Sequence, residues 1–261
     1  MKKSFADKYG RWAVVAGASE GLGAAFAEGI ARRGCNVVLI ARRADVLGEA
    51  AERLRAAHAI EVRTLALDLG ADGWGEQLAA LAQEIPIGLG VYNAAYSFVA
   101  PLLERPLEDA LRVVDVNARG PLRFVHALAP AMVERQRGGI VLMSSLAGFQ
   151  GSPRLAAYAS SKAFNIVLGE SLWSELRPKG VDVLVSCAGA IRTPGYLATA
   201  KKDAPGTLEP ARVAQLTLAA LGKRPIVVPG GVNKLARLVL GRVLTRRAAI
   251  GVMARNTADL E

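Results

Sequence analysis

The chain has 261 residues, 52% of them hydrophobic and 27 of them glycine, which is enough for a sizeable core in one or two domains. No Ser/Pro-rich linker, repeat or charge run divides it, so one folded unit with a short extension is expected. The net charge of +10 is uneven: between Glu209 and Asp259 there is no acid and there are nine Lys or Arg residues, so the body is nearly neutral and does not read as a nucleic-acid binder.

Cys35 and Cys187 have no metal-ligand spacing and make no disulfide framework. Both lie beside apolar runs and read as buried free thiols in a reducing compartment. The basic N-terminus leads into a glycine motif rather than a cleavage site. No uninterrupted run of about 18 apolar residues is present. A cytoplasmic protein without leader, spanning helix or metal site is expected.

In chain order, residues 12–16 form a short β-prone run. Gly17-Ala18-Ser19-Glu20-Gly21-Leu22-Gly23 comes next, then residues 24–33 with helical composition, ending at Gly34. In a strand–turn–helix setting, the GxxxGxG spacing lets the backbone approach a pyrophosphate and points a helix N-terminus at it. Without a ligand the same glycines make only a tight turn. Residues 37–41 are an unbroken apolar run, as in a parallel sheet buried on both faces. The run ends in Arg42-Arg43, with Ala41 where an acid would bind a ribose 2′-hydroxyl. Arginine there accommodates a 2′-phosphate, so NADP(H) is expected over NAD(H). Glu20 in the glycine loop opposes a further phosphate, and the two arginines would also suit a solvated helix start.

Residues 44–58 carry Leu47, Ala51 and Leu54 at helical spacing. Residues 62–69 alternate as a strand and end near Asp68, a carboxylate that either accepts from an adenine amine or caps the next helix. Residues 74–84 read as helix, stopped at Pro86. Residues 89–95 read as a strand running into small residues after Asn93. Residues 107–135 are a long helical region with a kink expected near Gly120-Pro121. Asn117 lies there among Val113, Val114 and Val116, and a buried amide needs partners. Residues 140–143 and 181–186 are further strands. After the latter come Gly189 to Pro194 and a turn-rich segment, 195–207, that reads as a lid. Residues 209–221 read as helix and 226–228 as the last strand.

This alternation implies an α/β fold: one parallel sheet of about seven strands with helices on both faces. Ligands bind such sheets at the strand carboxyl ends. Gly17, Arg42, Asp68, Asn93, Ser145 and Ile191 all fall at those ends.

Residues 144–162 concentrate the chemistry. Tyr158 and Lys162 are four apart, so a helix (expected over 156–177) puts them on one face. A free phenol has a pKa of about 10, and a neighbouring ammonium lowers it. Ser145, at the end of the fifth strand, can converge with Tyr158 on one carbonyl oxygen. That suits hydride chemistry: Ser145 polarises the oxygen, Tyr158 moves the proton and Lys162 tunes Tyr158. Alone, Tyr-x-x-x-Lys would equally be a surface helix pair.

Together these motifs resemble the short-chain dehydrogenase/reductase family over roughly residues 10–230. The resemblance implies a Rossmann-type doubly wound sheet and a catalytic set of Asn117, Ser145, Tyr158 and Lys162. It further implies that Lys162 binds the nicotinamide ribose and that Asn117 helps hold a proton-relay water. The cofactor contacts expected are Gly17, Ser19, Gly21, Leu22, Gly23, Arg42, Arg43, Asp68, Leu69, Asn93, Ala94, Ala95, Tyr158, Lys162, Gly189, Ile191 and Thr193. Ala16, Tyr92, Ala95 and Ala188 depart from the family's usual threonine, asparagine, glycine and proline.

The expected activity is hydride transfer between NADP(H) and a carbonyl or alcohol. The alternative is a lapsed NADP(H)-binding sensor or scaffold. Tyr96, Phe98, Val99, Leu146, Phe149, Tyr196 and Leu197 either line a pocket for a hydrophobic substrate or pack as ordinary core. The family usually forms homodimers or homotetramers. Residues 1–231 are expected to be the dinucleotide-binding catalytic unit and 232–261 a basic helical extension. In the extension Leu235, Val239, Val243 and Ile250 share one sector, interrupted by Gly241 and crowded by Arg242 and Arg246. Three readings stay open: packing on the body or a second subunit, docking on an anionic membrane, or attracting an acidic substrate such as an acyl-CoA.

Overall fold

The structure is a computed structural model that describes residues 4–200 and 202–258. Residue 201 of the expected lid and the last three residues of the extension lie outside the described residues. Seven strands form one parallel sheet, β1 (Trp12–Ala16), β2 (Asn36–Ala41), β3 (Val62–Ala66), β4 (Ile87–Tyr92), β5 (Gly138–Ser145), β6 (Val181–Ala188) and β7 (Ile226–Val227). Their order is β3-β2-β1-β4-β5-β6-β7. The chain therefore reverses direction across the sheet between β1 and β4, where Val14 pairs with Val38 on one side and Gly90 on the other.

The helices are α1 (Phe5–Tyr9), α2 (Gly21–Ala31), α3 (Ala44–Ala57), α4 (Trp74–Glu84), α5 (Leu107–Val114), α6 (Gly120–Glu134), α7 (Ala156–Leu176), α8 (Pro194–Thr199), α9 (Pro210–Ala220), α10 (Gly231–Leu238) and α11 (Arg246–Ala258). Strand residues alternate between the two faces, so each strand feeds two cores. On one face Val15, Val37, Leu39 and Leu184 meet Phe26 and Ile30 of α2, Leu47 of α3 and Val213 of α9. On the other, Val14, Val38, Ile40 and Val183 meet Trp74 and Leu78 of α4 and Phe124 and Leu128 of α6.

Several boundaries differ from the sequence reading. Helix α2 begins at Gly21, so two glycines of the motif lie in its first turn. Strand β4 starts at Ile87 and stops at Tyr92, leaving 93–95 as loop. Strand β5 reaches from Gly138 to Ser145, because its flanking glycines and serines stay in register with β6. Helix α1 was not expected. Its signal is the capping box Ser4-x-x-Asp7, in which Asp7 N donates to Ser4 Oγ and Ser4 N donates to Asp7 Oδ2.

The expected kink near Gly120-Pro121 is a π-helical turn over Asp115–Arg119. Gly120 N–H donates to Asp115 O, skipping Val116. The Val116 carbonyl is taken instead by the Tyr92 hydroxyl at 2.6 Å. The Asn117 carbonyl faces position 121, where proline has no N–H to give; it accepts from Asn165 Nδ2 at 3.0 Å. A Cβ on Gly120 would lie 2.0 Å from Tyr92 Oη. Gly120→Ala is therefore expected to lower stability by about 1–3 kcal/mol through overpacking, despite alanine's better helix propensity. Tyr92→Phe in the same chain should recover part of the loss. Urea midpoints for the single and double variants check this; an unchanged midpoint for Gly120→Ala would contradict it.

Candidate active site

A cleft of about 930 Å³ opens at the carboxyl ends of the strands. The first element at its floor is the glycine turn. Gly17 has φ +77°, and a Cβ there would lie 2.7 Å from Ala94 Cα. Asn93 Nδ2 donates to Gly17 O at 3.0 Å and ties the turn to the end of β4. Gly23 is buried one turn on, where a Cβ would meet Gly17 O at 1.8 Å. The glycines thus press turn, helix and β4 together, and the first N–H groups of α2, which has no side-chain cap, are presented at the cleft.

Beside the turn, Glu20 pairs with Arg43 at 3.2 Å. Both are exposed, and the acid that opposed a phosphate in the sequence reading is neutralised by the second arginine. Arg42 lines the cleft next to Ala41 and has no carboxylate ion-pair partner among the described residues. Asp68 is held on both oxygens by Arg112 Nη2, each at 2.7 Å, and accepts from Gly70 N at 3.0 Å. Burial pushes the Asp68 carboxyl up, but the Arg112 guanidinium and the Gly70 N–H outweigh it and leave it below its ordinary range. Asp68 does bond the backbone just beyond it, but it caps no helix: the N-cap of α4 is Gly73.

At the other end Tyr158 and Lys162 line the cleft, with Ser145 at the end of β5 outside the lining residues. Ser145 ends β5 and accepts from Ala147 N at 3.2 Å, capping the short turn that follows. The Ser145 hydroxyl is close enough to the phenol to favour its ionised form. Tyr158 and Lys162 lie one turn apart on α7, with Lys162 Nζ 5.4 Å from the Tyr158 ring centroid. Lys162 is buried and its Nζ donates to Met143 O at 3.1 Å. Burial lowers its pKa to about 8.

The expected lowering of the Tyr158 pKa is not what this geometry produces. Burial raises it, and only the neighbouring Ser145 hydroxyl opposes that. The reason is where Lys162 points: its ammonium binds a backbone carbonyl under the ring and does not reach the phenolic oxygen. The phenol is therefore a protonated donor in this state. Lys162 keeps its charge below about pH 8 and loses it above. Free-enzyme pKa values appear in kcat/KM, so a turnover that needs the charged ammonium should lose kcat/KM on the alkaline side with an inflection near pH 8. Lys162→Arg should move that limb upward, and a limb that stays in place would assign it to another group.

Asn117 is fully buried, and its side chain is already engaged. Its Oδ1 accepts from Tyr96 N at 2.8 Å, and its Nδ2 donates to Tyr96 O at 2.9 Å and to Ser161 Oγ at 3.1 Å. It pins the 93–96 loop to α7 from behind the cleft. Any water contact is left to its carbonyl, whose second lone pair remains after Asn165.

Of the expected cofactor contacts, Gly17, Ser19, Gly21, Leu22, Arg42, Arg43, Asp68, Leu69, Asn93, Ala94, Ala95, Tyr158, Lys162, Ile191 and Thr193 line the cleft. Gly23 and Gly189 do not. Gly189 faces α10, where a Cβ would lie 2.6 Å from Asn233 Oδ1. Arg112, Met143 and Ser144 line the cleft and were missed. Arg112 had no signal beyond a charge on an amphipathic helix. Tyr96, Phe98, Val99 and Tyr196 line it as well, whereas Leu146 and Phe149 pack on Ile166 and Val228, and Leu197 is exposed.

The segment expected to be a lid is folded and braced. Thr193 caps α8, Arg192 pairs with Asp203 and with Glu209, and Ala204 N donates to the Tyr196 hydroxyl at 2.9 Å.

A parallel sheet in this order, with a glycine turn opening the first long helix, defines the dinucleotide-binding α/β class. The family model for short chain dehydrogenase matches residues 11–203, and the chain belongs to that family. It is 38% identical over 185 residues to a very-long-chain 3-oxoacyl-CoA reductase of Aspergillus clavatus, a match that covers 69% of this chain and 53% of the relative. The chain thus spans about half the length of the fungal reductases it matches. A solved 7beta-hydroxysteroid dehydrogenase superposes with a TM-score of 0.89 at 28% identity, covering 96% of this chain and 99% of that one. A short-chain dehydrogenase from Sphingobium yanoikuyae, solved with NADPH, gives 0.76 at 29% identity, covering 84% and 86%.

Proposed function

We propose that this chain transfers a hydride between NADP(H) and a hydrophobic carbonyl or alcohol compound. The observation that carries the reading is that Tyr158 and Lys162 line the cleft at the strand carboxyl ends, one turn apart on α7, with the Lys162 ammonium beside the phenol ring and Ser145 at the adjoining end of β5. The cleft fits a dinucleotide: a glycine cradle that a Cβ would fill, uncapped N–H groups on α2, and Arg42 beside Ala41. When bound, NADPH supplies the hydride. Ser145 donates a hydrogen bond to the substrate oxygen, and Tyr158, kept protonated, donates the proton that oxygen needs as charge develops on it. Lys162 below about pH 8 adds a positive charge behind the phenol as it loses that proton. Arg42 binds the 2′-phosphate and Glu20 holds Arg43 aside.

Tyr96, Phe98, Val99 and Tyr196 give the open end of the cleft an apolar wall, which supports a hydrophobic substrate. The test is oxidation of NADPH and NADH, followed by absorbance, across a panel of aliphatic and cyclic ketones, aldehydes and 3-oxoacyl thioesters. Turnover with NADPH on the bulkier ketones or thioesters supports the reading. Tight NADPH binding with no turnover on any carbonyl would favour a sensor instead.

The reading includes self-association. Leu103 just before α5, Leu107, Leu111 and Val114 on it, and Phe164 and Val167 on the adjoining α7 leave an exposed apolar face. Acids and bases are mixed around it, with Arg105 and Asp109 paired, so a second copy of this chain fits there. Sedimentation at micromolar concentration should return more than one chain's mass.

A further inference from the structure

Helix α10 is amphipathic the wrong way round for a helix packed on a core. Its inward residue is Asn233, 2% exposed, with Nδ2 donating to Gly206 O and Pro229 O at 3.0 Å each. Its outward residues are apolar: Val232, Leu235 and Leu238, and then Val243 beyond the π-helical turn Val239–Val243, are each 51–69% exposed. At 100° per residue, Val232, Leu235, Leu238 and Val239 fall within a sector of roughly 120°, away from Asn233. Lys234 borders that stripe, Arg242 follows in the π-helical turn on the side of Leu235, and Arg247 lies beyond them on α11; all three are exposed.

The two helices are fastened in this orientation. Arg237 lies 4.5 Å over the Phe149 ring, Arg246 donates to Phe149 O at 2.8 Å, Ala249 is buried, and Arg154 donates to Thr257 O at 2.9 Å. The outward stripe is therefore a fixed feature of the surface and not a helix awaiting its place on the core.

We propose that this face docks on an anionic lipid surface, with Leu235, Leu238 and Val243 entering the headgroup–acyl boundary and Lys234, Arg242 and Arg247 meeting lipid phosphates and carboxylates. Charge separates this occupant from a second copy. The stretch between Glu209 and Asp259 has no acid, so self-pairing through this face would oppose like charges. The face on α5 and α7 has acids interspersed and lacks that objection. A basic helix with exposed branched aliphatics on its outer sector is the pattern of interfacial binding. A phosphate backbone would leave the apolar stripe uncovered. The loop under the tail, residues 149–154, runs directly into Leu155 at the cleft, so docking brings the cleft wall close to the lipid. That consequence rests on the proposed function; the docking itself does not.

The test is co-sedimentation of the full chain with phosphatidylcholine vesicles, with and without phosphatidylserine. Binding at least about tenfold stronger to the phosphatidylserine vesicles is expected. Leu235→Ser with Val243→Ser, and separately Lys234→Gln with Arg242→Gln, should each reduce that binding about tenfold while NADPH affinity stays at the parent's value. Leu235→Trp should show a blue-shifted emission on adding anionic vesicles, a readout that needs no loss of function. Equal or absent pelleting on both vesicles overturns the proposal. So do serine variants that bind as the parent does, which would reduce the contact to charge alone, and serine variants that abolish self-association without changing vesicle binding.

Discussion

Tyr158→Phe is expected to reduce kcat by about 10²–10⁴-fold while NADPH still binds, because the proposed function makes the phenol the proton donor and the ring keeps its place on α7. The size reflects removal of one general acid at a site that retains Ser145 and Lys162. Ser145 and Tyr158 are proposed to act on the same substrate oxygen, so Ser145→Ala should cost much of its own effect only in the parent background. Such non-additivity is expected for groups that act together on one oxygen. Cofactor affinity by fluorescence titration and kcat by stopped flow separate the two effects. A Tyr158→Phe variant within a few-fold of the parent would remove Tyr158 from the proton-transfer role and leave the fold assignment untouched.

Arg42→Ala is expected to weaken NADPH binding by roughly 10–100-fold, the range for losing a hydrogen bond to a charged group. NADH affinity should stay within about twofold under the same reasoning, since that ligand has no 2′-phosphate. Arg43 does not substitute, because Glu20 holds it at 3.2 Å. Ala41→Asp added to Arg42→Ala should then favour NADH by supplying a carboxylate for the ribose. Equal weakening of both cofactors would mean that Arg42 supports the loop and does not read the phosphate.

Much of this was legible in the sequence, for definite reasons. Strands buried on both faces must be apolar throughout, so β1 and β2 stand out without any alternation to detect. The glycine motif is local, and so is the Tyr158–Lys162 spacing. What was hidden depends on partners far away in sequence. Nothing near Asn117 reveals that Tyr96 occupies its amide, or that Pro121 deprives its carbonyl of a helical donor. Gly189 reads as a cofactor contact until Asn233, more than forty residues later, is seen against it. The Lys162 ammonium faces Met143 rather than the phenolic oxygen because β5 runs directly beneath α7, a packing fact that spacing does not carry. Arg112 was missed for the same reason: Asp68 looks available until α5 is placed across it.

The π-helical turn has a consequence for insertions and deletions. Residues 115–119 hold one more residue than regular winding needs. Excising any one of them would restore ordinary helical bonding and so gain locally. It would also rotate everything upstream by about 100° about the helix axis. Arg112 would swing off Asp68, and the leucines of α5 would leave the side occupied by Phe164 and Val167. The surplus residue therefore sets the angular phase between the Asp68 end of the cleft and the outer surface. Loss of a single codon here should damage the protein more than most exchanges of one side chain for another.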